Sequence, residues 1–255
     1  MRFGRVLLGI ALLLAAFAAP AARAQGMHRG IDEYLAAADA FDRLAASGPP
    51  RLTDPAAATI LRRLADYDAT FGTDSFTMAD LPLLSRLLLR IMGIPLHYLQ
   101  LGIVEGSPRA VYRPQQDRNS TEYQAEMIPI TGFALDVMAV TMRTLDRGLA
   151  GVDTTAFSES ERAGLVRARG GAGGTILHML DLAVYPGIRA DSGLALATTL
   201  ARNADTIAAA ITPAQRQVVI VRAQSVRARL PGARAQLDRL IAAMSGPACT
   251  GLCAL

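Results

Sequence analysis

His178 and Asp181 stand three residues apart in the stretch RARGGAGGTILHMLDL, Arg167 to Leu182. On a helix that spacing puts both side chains on one face. A carboxylate so placed can orient an imidazole as a general base, or the pair can supply two metal ligands. His97 is the third partner of a hydrolase-type site if its helix packs against this one. Arg86 or Arg90 would then stabilise the developing anion.

Arg86, Arg90, Gly93, His97 and Gln100 recur at steps of four, three, four and three within an otherwise apolar run, Leu81 to Gly102. If the helix continues through Pro95, they share one stripe. Such a stripe is either the wet side of a core helix or the lining of an internal pocket. In the second case Arg86, Arg90 and His97 bind an anionic group.

The glycines before Thr175 do not make a phosphate loop. GGAGGT lacks the Walker lysine, GAGGTI lacks the third glycine of a dinucleotide fingerprint, and no strand precedes either. The stretch reads as a junction between helices. Arg167 and Arg169 suit a last turn, Gly170 a left-handed stop, and Thr175 the next cap. The free N–H groups at Thr175 beside the two arginines would form an anion seat on a hinge. A continuous helix is the alternative, at about 1 kcal/mol per glycine relative to alanine.

Other chemistry-bearing residues have plainer readings. Glu122 and Glu126, beside Arg118, fit a solvated helix face. His28 falls near the start of the mature chain, where disorder is expected. Cys249 and Cys253, in CTGLC, are spaced to close a small disulfide loop in an oxidising compartment.

Absences narrow the chemistry further. All 26 basic residues are arginine, so a Schiff base, a Ser–Lys dyad and a P-loop lysine are excluded. HExxH, GxSxG and Glu-x-x-His are missing, and with them the zincin, α/β-hydrolase and di-iron motifs. No metal site and no cofactor is expected. There is no Trp, which leaves little for stacking on bases.

The first residues, MRFGRVLLGIALLLAAFAAPAARAQG, have the form of a secretory signal over residues 1–24. Arg2 and Arg5 precede an apolar run too short to span a bilayer, and ARA precedes Gln25. Three arginines leave with that segment, so the remaining chain is close to neutral and nucleic acid is not an expected partner. The absence of Lys with many Ala and Arg fits a bacterial origin and a periplasmic or secreted destination.

The elements that must position these residues read as helices almost throughout. Asp54–Pro55 starts a run ending at Gly72, and Ile31, Leu35, Ala38, Phe41 and Ala45 repeat at helical spacing. Asn119 with Glu122, Ser158 with Glu161, and Thr212 with Gln215 fit capping boxes. Pro129 should break or kink a helix between Thr121 and Arg147. Further runs span Ser192 to Ala210, Pro213 to Leu230 and Ala233 to Met244, and Glu105 to Ser120 reads as a long loop. The expectation is an all-α, single multi-helix bundle of about nine or ten helices over residues 25–245. Leu81 to Gly102 would lie near its centre, and residues 246–255 form a tail.

ITPAQR, Ile211 to Arg216, is similar to the LTxxQ motif of Spy-like periplasmic chaperones. The likeness covers five residues, a second copy is missing, and a helix cap at Thr212 accounts for it without the family. The leading functional expectation is an exported binding or interaction protein with an apolar pocket and an Arg-lined mouth. Its partner would be an anionic or amphipathic small molecule or an envelope protein, with no transmembrane span in the mature chain. The rivals are the His97/His178/Asp181 hydrolase and a periplasmic chaperone or envelope assembly factor.

Overall fold

A computed structural model describes residues 28–72, 75–104, 106, 108–153, 157–247 and 253. The expected signal segment lies outside the described residues. Eleven α-helices and no strand occur among those described. In chain order they are α1 (Arg29–Ala45), α2 (Pro55–Arg63), α3 (Tyr67–Phe71), α4 (Leu81–Gln100), α5 (Arg109–Glu122) and α6 (Gln124–Leu149). Then follow α7 (Glu159–Ala183), α8 (Ala190–Arg202), α9 (Ala204–Ala210), α10 (Pro213–Arg229) and α11 (Arg234–Met244). Short 3-10 turns at Met78–Asp80 and Pro231–Ala233 lead into α4 and α11.

Local chemistry sets many of the helix ends. The Asp54 carboxylate accepts the Ala56 N–H at 2.9 Å, with Pro55 in the first turn. Ser158 and Glu161 exchange reciprocal bonds at the start of α7, and Thr212 and Gln215 do so at the start of α10.

Other boundaries differ from expectation. The run from Pro55 divides at Leu64–Asp66, because Asp66 caps a second helix by accepting the Ala69 N–H. Asn119 caps no N-terminus; it sits late in α5, and its amide donates to Leu99 O at 3.2 Å and Leu101 O at 2.8 Å. It thereby satisfies carbonyls at the end of α4. The expected loop from Glu105 is helical from Arg109 onward. The break near Pro129 falls earlier, at Tyr123, and the proline is accommodated inside α6. The run from Ser192 is interrupted at Asn203, between α8 and α9.

The central element is α6 rather than Leu81–Gly102. Nineteen of its 26 residues are buried, and it packs against α4 and α5 on one side and α8 and α9 on the other. By length and composition it could cross a bilayer, yet 89% of its apolar window is covered by the rest of the chain. Helices α1 to α5 form the first half of the bundle and α7 to α11 the second. One continuous apolar core runs from Ile31 to Met244.

Candidate functional site

The glycine-rich stretch is the middle of α7, not a junction. Thr175 caps nothing: it is buried, and its hydroxyl donates to Gly171 O at 3.0 Å one turn back. Arg167 and Arg169 therefore lie mid-helix, the first exposed and the second half-buried, and no free helix N-terminus is present at Thr175 to seat an anion. Packing outweighs the poor helix propensity of glycine. Gly173 is buried, and a Cβ there would meet the Gln215 amide of α10 at 3.0 Å.

The close approach fixes how α7 and α10 run. Gly173 faces Gln215, Asp181 pairs with Arg222, and Arg229 Nη2 donates to Val184 O at 2.8 Å. Both residue numbers rise together, so the two helices are parallel. Toward solvent they leave an open groove of about 580 Å³ lined by Leu177, Asp181, Gln217, Val218, Val221, Arg222 and Ser225. Val218 is 53% exposed and Val221 57%.

Charge at the groove is concentrated at one end. Arg222 Nε donates to Asp181 Oδ1, and Nη2 approaches the same oxygen. His178, one turn before Asp181, is half-buried. Burial pushes its imidazole down to about 4, partly offset by the Asp181 charge, so it is neutral at pH 7. Asp181 is thus engaged by Arg222 as its ion-pair partner.

His97 does not join this pair. It lies on α4 in the first half of the bundle, edge-on to Phe41 at 5.7 Å and Tyr98 at 5.8 Å. Its Nε2 is buried and has no hydrogen-bond partner among the described residues. The main neighbours of α4 are α1, α5 and α6, whereas those of α7 are α8, α9 and α10. The three groups of the hydrolase reading are not brought to one place.

The Arg86–Gln100 stripe is the wet side of its helix except at His97, which turns in to Phe41 and Tyr98. Arg86, Gly93 and Gln100 are exposed. Arg90 bonds Asp42 at 2.6 Å and Asp39 at 3.4 Å on α1, which neutralises it. The apolar groove lies elsewhere, so these arginines form no mouth to it. Cys253 is buried; Cys249, its expected disulfide partner, lies outside the described residues.

Three buried polar groupings escaped the sequence reading. His28 is 6% exposed rather than disordered, stacked on Phe76 at 4.6 Å with Nε2 3.3 Å from Asp80 Oδ1. The Asp80 carboxylate also accepts the Thr77 N–H at 2.8 Å and hydroxyl at 2.9 Å. Burial works against its charge, but these bonds and His28 outweigh that and hold its acidity below the usual carboxylate range. Glu126 is buried and takes the Leu52 N–H at 3.1 Å, while Glu122 pairs with Arg51, whose guanidinium lies 3.9 Å above the Tyr123 ring. With the Tyr98 hydroxyl donating to Pro50 O at 2.6 Å, they tie the segment between α1 and α2 to α4 and α6. Asp136, buried in α6, receives Arg202 and Asn203. Only the first carried a signal, a histidine followed at once by a helical repeat. Among the described residues no cluster has metal-ligand character.

Comparison with family models, curated proteins and solved structures finds no match to this chain.

Proposed function

We propose that this chain is an exported helical binding protein that takes a single-chain amphiphile in the groove between α7 and α10. The observation that carries the reading is the pair Val218 and Val221, each more than half exposed beside Leu177 on an open concave surface. Grouped apolar side chains on a helical surface favour removal from water, and a groove of about 580 Å³ falls within the usual range of small-ligand sites. Gln217, Ser225 and the Asp181–Arg222 pair supply a polar rim of the kind that orients a ligand's head.

Export rests on the form of residues 1–24 and fits a Cys249–Cys253 disulfide formed outside the cytoplasm. The binding test is titration with decanoate below its micelle concentration, followed by native mass spectrometry and thermal shift. One bound chain per protein and a raised melting temperature are expected, with both lost in a V218Q/V221Q variant. No binding by the wild-type chain overturns the reading. Recovery of secreted protein beginning at Gln25 tests export.

A further inference from the structure

We propose that Arg222 selects the head group of the groove's ligand, favouring a carboxylate amphiphile, and that Asp181 acts as the internal competitor that ligand must displace. This rests on the amphiphile reading above and adds which charge is chosen and by which residue.

Both contacts of Arg222 converge on a single oxygen, Asp181 Oδ1, made by Nε and Nη2. Among the described residues Nη1 makes no such contact, and a guanidinium carries five N–H donors in one plane. The donor set is therefore not exhausted by Asp181. Three residues further along α10, Ser225 adds a hydroxyl to the same lining, and Gln217 adds an amide. A planar carboxylate can take that fork together with the Ser225 and Gln217 donors, whereas a cationic head would have only the remaining Asp181 oxygen, Oδ2, as an anionic partner.

The pair is open to exchange because it is wet. The side chains of Arg222 and Asp181 are 42% and 49% exposed, and ion pairs so placed contribute little to stability. A ligand carboxylate whose chain lies on Leu177, Val218 and Val221 is held at Arg222 by a local concentration that no free anion attains. His178 adds no competing positive charge at neutral pH, being held neutral by burial. Arg222 is the sole cationic side chain among the described residues lining this groove.

The test compares decanoate with decyltrimethylammonium, which share a chain and differ in charge, by displacement of a bound fluorescent fatty acid at pH 7.5. Wild-type protein is expected to prefer decanoate. R222Q should lower decanoate affinity about tenfold, the worth of a charge-assisted bond, and leave the cation no weaker. D181N should raise decanoate affinity two- to fivefold, roughly what an exposed pair contributes. Equal binding of both amphiphiles, or an R222Q variant that holds decanoate unchanged, overturns the head-group assignment while the groove reading stands. If neither amphiphile binds the wild-type chain, or both survive V218Q/V221Q unaltered, the groove reading fails and this inference with it. Circular dichroism confirms that each variant is folded, as expected for exposed positions.

Discussion

Asp136, midway along α6, accepts Nε of Arg202 at 3.2 Å and Nη2 at 2.6 Å, while Asn203 donates to it at 2.7 Å. The two ends of this contact differ in environment: the Asp136 side chain is 4% exposed and that of Arg202 56%. Removing the arginine strands a buried carboxylate, whereas removing the carboxylate frees an arginine already half in water. R202A should therefore cost about 2–3 kcal/mol, below the full penalty for a broken buried pair because Asn203 remains. Adding D136N to R202A should recover part of the loss. Urea denaturation of the two singles and the double measures it, and an additive double would contradict the coupling.

The imidazole of His178 should make stability fall with acid in a defined window. Its native value is near 4, against an ordinary 6.5. A group whose protonated form is disfavoured by folding stabilises the native state above the unfolded value. That contribution is lost as pH falls from about 6.5 to about 4 and is constant below. At 1.36 kcal/mol per pH unit the effect is bounded at roughly 3 kcal/mol, and partial exposure makes it smaller. In H178Q the slope of unfolding free energy between those pH values should flatten. An unchanged slope would show that other groups carry it.

Asp80 predicts a second, lower window. Because its native acidity is increased, its contribution is present above the usual carboxylate value near 4 and disappears as pH falls through the native value. D80N should be less stable than the wild type at pH 7 by about 1–2 kcal/mol, since it loses charge-assisted bonds from Thr77. The two proteins should converge toward pH 3. Parallel melting curves over that range would refute the assignment.

Glycines of similar appearance should respond in opposite directions. A Cβ on Gly170 meets nothing within 4 Å on an exposed face of α7, so G170A should stabilise by up to about 1 kcal/mol through helix propensity. A Cβ on Gly193 would overlap the backbone oxygen of Ala183 and press on Leu230, so G193A must move α8 away from α7. A loss of at least about 2 kcal/mol is expected there. Thermal denaturation of both variants separates the cases, and a destabilised G170A would restore the hinge.

Helix class and several helix starts were legible because they depend on neighbours in sequence. Asp54, Ser158 and Thr212 cap helices whose first turns they themselves begin. Continuity through Gly170–Gly174 was not legible, because the surface that favours it belongs to α10, some forty residues later. Glu126 looked like a solvated acid for the same reason: the N–H it takes belongs to Leu52, in the segment between α1 and α2, more than seventy residues earlier. That His178 and Asp181 sit one turn apart on a helix followed from spacing alone. That Arg222 rather than His178 would hold the carboxylate did not, since nothing local in either helix encodes the register between them.

The position of α6 bears on what a severed chain would do. Because its flanks complete two different sets of helices, neither half of the protein owns its interior outright. A cut in the exposed turn at Gly151–Asp153 would leave one fragment with a long apolar flank uncovered and the other with the complementary hollow. Two such pieces, expressed apart, would have reason to find each other and rebuild the whole, as the halves of a joint do around a common dowel.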